Sequence, residues 1–255
     1  MNEQGVSFAK SGRLATITFA WPIQKDIPFL QLYRQLEDIR NTICHDNDIS
    51  VVIITGQQIF AANSNTDGLS SLKIEEKHLL PLSLSSIIDT IDRPVIVAIE
   101  GDASGQGLEL ALACDLRICS EGAQFGIPNV TFGEIPWGGA TQRLSRLVGK
   151  GKAMEMILTG EMIDAQEAYR IGLVNKVVSP KELFGAVMDI AQEMTSKGPI
   201  SLCYAKEAVN QGMDLSLLQG LRLEADLYFL MHTTEDRTEG IKAFQENRKA
   251  QFKGK

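Results

Sequence analysis

Apolar and polar residues alternate from Leu14 to Phe19, with Ala15, Ile17 and Phe19 on one side and Thr16 and Thr18 on the other, the period of a half-buried strand. Phe29, Leu32, Tyr33, Leu36, Ile39 and Ile43 then recur at steps of three and four, which predicts an amphipathic helix. Val51–Thr55 is a continuous β-branched run ended by Gly56 and predicts a strand buried on both faces. Leu80, Leu84, Ile87, Ile88 and Ile91 form a second helical stripe, halted before Pro94 because the residue preceding a proline avoids helical backbone. Val95–Ile99 reads as a second buried strand, followed by a glycine-rich turn, an apolar helix over Leu108–Cys114 and a strand over Leu116–Cys119. Strands and helices in alternation predict an α/β body with parallel pairing and right-handed crossovers.

The strand signal disappears after about residue 175. Asp164 with Glu167 predicts a capping box that opens a short helix closed by Gly172, and Pro180, Pro199 and Asp214 each stand near the start of a further helix. Glu235–Lys249 is the last helical segment. This all-helical tail carries Leu221, Leu223, Leu227, Tyr228, Phe229 and Leu230, more apolar surface than so small a unit can bury, which points to cover by another subunit.

Composition narrows the class without choosing a function. A chain of 255 residues, 44% hydrophobic and 22% charged, has the make-up of a globular protein with a sizeable core. Its net charge of −7, with no basic cluster, disfavours nucleic acid and anionic membrane as partners, so a polyanionic ligand would need local basic residues. Cys44, Cys114, Cys119 and Cys203 lack metal or redox spacing and read as small hydrophobes in a reducing compartment. His45, His78 and His232 are isolated, so no metal site is expected. The first residues lack a signal-peptide layout and no apolar run is long enough to span a bilayer, so the expected location is the cytoplasm.

Candidate chemistry concentrates in Val95–Asp115, where a buried strand runs through Gly101, Gly105 and Gly107 into an apolar helix. Glycines at such a turn let backbone approach a ligand, and the orphan N–H groups of a helix start favour developing negative charge, as an oxyanion hole does. Glu109 is the one ionisable side chain of Leu108–Cys114. A carboxylate there is either one half of a buried ion pair or a functional acid/base. Two rival motifs fail on spacing: a dinucleotide fingerprint lacks its third glycine at Leu110, and a nucleophile elbow around Ser104 fails the G-x-S-x-G spacing and lacks a fitting histidine.

The stretch from Glu100 to Leu147, with its spaced glycines, ELALACDLRI and AQFGIPNVTFGEIPWGGATQRL, resembles the heart of the crotonase (enoyl-CoA hydratase/isomerase) superfamily. KAMEMILTGEMIDAQEAYRIGLVNKVV and the terminal EGIKAFQENRKAQF extend the likeness over nearly the whole chain. The resemblance implies a spiral of ββα units over residues 1–195 and a helical region over 196–255 that assembles trimers or dimers of trimers. It also implies an acyl-CoA substrate, CoA being part of that substrate and not a separate cofactor.

Position by position, the resemblance puts the two backbone donors to the thioester oxygen on Ser64 and Gln106, and the first hydratase glutamate on Glu109. The second glutamate is replaced by Asn129, an amide that can orient water but cannot act as acid or base near neutral pH. Gln106 and Trp137 stand where glycine is usual, which implies a bulkier pocket floor, with Asn65 and Gly138 completing the acyl pocket. Lys25, Ala62, Ser64 and Phe244 are the positions expected to meet CoA, while Asn247 replaces a basic residue and leaves an acyl-carrier-protein thioester open as substrate. The expected activity is that of an enoyl-CoA hydratase/isomerase working through a stabilised enolate with Glu109 as sole acid/base. The alternatives are an isomerase or decarboxylase of the same family, or a thioester-binding protein without turnover.

Overall fold

The computed structural model describes residues 5–20, 29–56, 60–62 and 83–255. Lys25, Ser64 and Asn65 fall outside these residues. Strands β1 (Val6–Ser11) and β2 (Leu14–Phe19) form an antiparallel hairpin, and helix α1 (Phe29–His45) follows. The chain then repeats one unit three times: a long strand, a short strand and a helical segment. The first unit is β3 (Val51–Gly56), β4 (Phe60–Ala62) and α2 (Leu84–Asp89); the second is β5 (Val95–Ile99), β6 (Ala103–Gly105) and α3 (Gln106–Leu112). The third is β7 (Leu116–Ser120), β8 (Gln124–Gly126) and, after a 3-10 turn at Pro128–Phe132, α4 (Ala140–Val148).

The two strands of each unit go to different sheets. The long strands, with the three-residue β10 (Lys176–Val178) at the far edge, build the six-stranded sheet in the order β1-β2-β3-β5-β7-β10, parallel from β2 onward. Short strands build a four-stranded sheet, β4-β6-β8-β9, where β9 (Ile163–Asp164) runs antiparallel to β8. This is the α/β spiral of ββα units that the sequence pattern implied. Its cause shows in the strand side chains. Val52, Ile54, Val95, Val97 and Ile99 enter the main core, while Val51, Ile53, Ile96, Ala98 and Ile118 meet Leu183, Ala186, Val187 and Ala191 of α7 (Leu183–Thr195). Both faces of the sheet are covered, so β5 is apolar at every position and β3 from Val51 to Ile54, instead of alternating. β2 lies next to the hairpin edge and alternates, with Ala15, Ile17 and Phe19 fully buried.

Several boundaries differ from the sequence reading. A short strand, β10 (Lys176–Val178), lies past residue 175 and pairs parallel with β7. α3 ends at Leu112. Asp164 caps α6 (Ala165–Arg170) by accepting from the Glu167 N–H at 2.8 Å, but the Glu167 carboxylate goes to Arg170 and Lys152 instead of completing the box. A full capping box instead joins Ser216 and Gln219 at the start of α9 (Leu217–Met231). The last helix, α10 (Glu235–Gln245), stops short of Lys249 because Asn247 turns left-handed at φ 53°. Arg248 and Asn247 N–H then reach back to the carbonyls of Ala243 (3.0 Å) and Phe244 (3.2 Å), the Schellman arrangement that satisfies a helix end.

After α5 (Lys150–Thr159), α6 and α7, the remaining helices are α8 (Pro199–Gly212), α9 and α10. They are fixed to the body by polar ties. Lys206 on α8 donates to Asp115 (2.7 Å) and to the Arg93 carbonyl (2.9 Å), with only 9% of its side chain exposed. Buried Asp236 accepts from the N–H groups of Lys253 (2.6 Å) and Gly254 (2.8 Å), and Arg13 donates to the Phe252 carbonyl at 2.8 Å. α9 buries Leu227 but exposes Leu217, Leu218, Leu221, Tyr228 and Phe229. Cys114 and Cys119 are buried and all four cysteines are free. No helix among the described residues is long and apolar enough to cross a membrane.

Lys206 is the strongest test of how the helical tail is held. Lys206→Met keeps the stem but removes a charged donor shared by a carboxylate and a buried carbonyl. It should lower the unfolding free energy by about 1–3 kcal/mol, read as a lower urea midpoint at unchanged slope.

Candidate active site

Helix α3 begins where β6 ends. Gly105 is its N-cap at φ 53° and ψ −124°, a backbone state that side chains other than glycine's resist. Gln106 is therefore the first helical residue, whose N–H has no acceptor within the helix. β4 and β6 run parallel with Ala62 opposite Gly105, so the chain leaves both strands side by side at one end of the short sheet. Residues from Gly107 to Leu112 are all buried, as the apolar pattern requires.

Glu109 lies in that buried run at 1% exposure. Its Oε1 accepts from the N–H of Gly138 at 2.7 Å and of Ala140 at 3.2 Å, while Oε2 has no hydrogen-bond partner among the described residues. No ion pair to this carboxylate is present among the described residues, which removes the ion-pair alternative for them. Burial pushes the Glu109 carboxyl above its ordinary range, opposed by the Ala140 and Gly138 N–H groups and by the positive charge of Arg143. The protonated form is thus favoured more than at the surface, and proton exchange moves toward neutral pH.

The turn that grips Glu109 is itself gripped. The Gly138 carbonyl accepts from Ser85 Oγ at 2.5 Å and from Arg143 Nη1 at 2.9 Å, and Arg143 Nη2 pairs with Asp89 at 3.2 Å. Ser83 caps α2 by accepting from the Ser86 N–H, and its Oγ lies 2.8 Å from Ser85 Oγ. A Cβ at Gly138 would sit 2.5 Å from Glu109 Oε2 and 3.1 Å from Ser85 Oγ, so any side chain there would displace the carboxylate.

A small cavity lies beside Glu109. Gln106, Glu109, Trp137 and Gly138 line it together with Ser83, Leu84 and Ser85. Four of the residues singled out in the sequence thus meet at one place. Asn129 is not in that lining; it sits on the 3-10 turn at 6% exposure with its Oδ1 unpartnered. Ala62 is placed by its pairing with Gly105, and Phe244 stands on α10, 84% exposed and outside the cavity lining. Sequence reasoning missed Ser83, Ser85 and Arg143. Ser83 carried a signal, a serine just ahead of an apolar helical stripe, whereas Arg143 carried none, since its acidic partner Asp89 is remote in sequence. No cluster of three metal-ligating side chains occurs among the described residues.

Arranged this way, the site can exchange one proton between Glu109 Oε2 and a molecule in the cavity, next to the N-terminal end of a buried helix. Comparison with known proteins identifies the family. The family profile described as Enoyl-CoA hydratase/isomerase matches residues 10–255. A crotonyl-CoA hydratase from Syntrophomonas wolfei is 37% identical over 257 residues, covering 99% of each chain. A short-chain-enoyl-CoA hydratase from Clostridium acetobutylicum is 34% identical over 98% of this chain and 97% of its own. The crystal structure of an enoyl-CoA hydratase from Bacillus anthracis superposes with a TM-score of 0.91 at 36% identity, over 99% of this chain and 100% of that one.

The raised Glu109 carboxyl predicts a stability signature. Between the ordinary glutamate value near 4.5 and the higher folded value, the unfolded chain has lost a proton that the folded chain keeps, so stability falls as pH rises through that window. Glu109→Gln removes the titration. The variant should melt at a higher temperature than wild type at pH 8, with the gap closing as pH falls toward 4.5. Calorimetry across that range checks it.

Proposed function

The chain belongs to the enoyl-CoA hydratase/isomerase family, and from that premise we propose that it converts an acyl-CoA thioester through an enolate, with Glu109 as the single acid/base. The observation that carries this reading is the Glu109 carboxylate itself, buried in the lining of a small cavity, held through one oxygen by two backbone N–H groups, with the other oxygen unpartnered among the described residues. In the proposed reaction the thioester oxygen accepts from the N–H groups of Gln106 and Ser64. Charge developing on that oxygen is met by oriented backbone dipoles, which need no reorganisation as the reaction proceeds. Glu109 Oε2 adds or removes the proton on the adjacent carbon or on attacking water, while Oε1 stays fixed. Gln106 and Trp137 narrow the acyl end of the pocket, to which Asn65 and Gly138 are also assigned.

Asn129 decides between reactions of this family. An amide cannot share acid/base work with Glu109, although its buried, unpartnered Oδ1 can hold a water in place. Hydration is the leading reading, with Asn129 orienting the water. Isomerisation or decarboxylation is the second, because either needs only one proton-transferring group. CoA enters as part of the substrate, with Lys25, Ala62, Ser64 and Phe244 assigned to it, and no separate cofactor is invoked. The exposed apolar face of α9 suits burial in a trimer or a dimer of trimers, and the acidic chain is assigned to the cytoplasm.

Mass spectrometry after incubation in heavy water with saturated, unsaturated and carboxylated acyl-CoAs reports hydration, proton exchange, isomerisation and decarboxylation together. Turnover of at least one thioester is expected, and Glu109→Gln should reduce it by about two to four orders of magnitude. A folded Glu109→Gln protein with near-wild-type turnover would remove Glu109 from the mechanism, and silence across the panel would favour a thioester-binding role. Assembly is checked by light scattering, where three or six chains per particle are expected; an active monomer at micromolar concentration overturns the trimer.

A further inference from the structure

We propose that Arg143 and Ser85 are a positioning pair for Glu109, acting through the Gly138 carbonyl they both hold. The proposal rests on Glu109 as the acid/base and concerns what keeps that carboxylate in place. Glu109 lines the cavity on a side chain with several rotatable bonds, and no counter-ion among the described residues bonds to its head. Its only ties among the described residues are the N–H groups of Gly138 and Ala140. Those donors sit on a turn containing Gly138 and Gly139, the latter at φ 104°. Two adjacent glycines leave such a turn many alternative shapes, so its rigidity must come from outside it.

The outside ties converge on one atom. The Gly138 oxygen has two lone pairs, and the Ser85 hydroxyl (2.5 Å) and the Arg143 guanidinium (2.9 Å) each take one. Arg143 is in turn held by Asp89 at 3.2 Å. Ser85 stands in the first turn of α2 and Asp89 at its end, so α2 fastens the turn at both of its ends. With the carbonyl fixed, the flanking N–H groups point at Oε1, and Oε2 is left to exchange the proton. Arg143 lies outside the cavity lining and acts on substrate only through this chain of contacts.

Arg143 also sets the field at Glu109. Among the described residues packed around α3, it is the charged group acting on Glu109. α2 brings the neutral Ser85 together with Asp89, which is already paired to Arg143. β4 and β6 consist of Phe60–Ala62 and Ala103–Gly105 and bring no ionisable side chain. Removing the guanidinium should therefore raise the Glu109 pKa further, a change that loss of packing alone would not produce.

The test measures hydration of crotonyl-CoA across pH for wild type, Arg143→Met, Arg143→Lys, Ser85→Ala and Asp89→Asn, with Glu109→Gln as control. Arg143→Met should lower kcat by about 10- to 100-fold with KM within about twofold, and shift the ascending limb of kcat/KM to higher pH. Arg143→Lys keeps the charge but cannot bridge both partners, so kcat should fall while the limb stays in place. Ser85→Ala should behave like Arg143→Lys. Asp89→Asn, at an exposed side chain, should give a smaller loss in the same direction and decides the matter if Arg143 variants do not fold. Folded Arg143→Met and Ser85→Ala proteins with wild-type kcat and an unmoved limb would overturn the positioning pair. An active Glu109→Gln control would instead overturn the acid/base reading beneath it.

Discussion

A carboxylate buried with no ion-pair partner among the described residues is the constraint around which this molecule is organised. An isolated charge in a protein interior costs many kcal/mol unless dipoles replace the lost water. Here two backbone N–H groups do so for one oxygen of Glu109 and none does so for the other. The group is thus half-solvated by protein, stable enough to be retained yet left with an oxygen whose best partner is a proton. A salt bridge would have quenched that reactivity; a third N–H would have held the group permanently ionised.

The fold supplies this arrangement by bringing three consecutive units to one place. The first provides β4 and the Ser83–Asp89 region of α2, the second the Gly105 bend and α3, and the third the Gly138 turn and Arg143. Each short strand delivers its chain to the same end of the four-stranded sheet, while the long strands of the other sheet, clamped between two apolar layers, keep the units from sliding. The rigid half of each unit and its working half are separated by only a few residues.

Features with a period were legible in the sequence. The alternation of β2, the unbroken runs of β3 and β5 and the stripe of α1 reflect burial on one face, on two faces and along one helical side. β4, β6, β8 and β9 are two or three residues long and too short to express a period, and β1 turns half its residues to solvent. Glu109 stood out because an ionisable group on a wholly apolar helix has no ordinary reason to be there. Arg143 did not, since arginine on an amphipathic helix ordinarily faces water, and only the docking of α2 onto the turn turns it inward. Asp236 misleads in the same way: an acidic residue in a first helical turn reads as a complement to the helix dipole, yet it is 2% exposed and grips the backbone of Lys253 and Gly254.

The interleaving of two sheets has a further consequence in time. Every pairing in the large sheet except the first hairpin joins segments separated by a whole crossover: Leu14 meets Val51, Val52 meets Val95, and Ile118 waits for Lys176. Such distant contacts repay their loop-closure entropy late, so this topology folds slowly compared with helical proteins of local contacts. A nascent chain emerging from the ribosome meets the same order. β7 has its neighbour β5 early but lacks β10 until nearly 180 residues have been made, and its unpaired edge is the stretch most open to mispairing during synthesis.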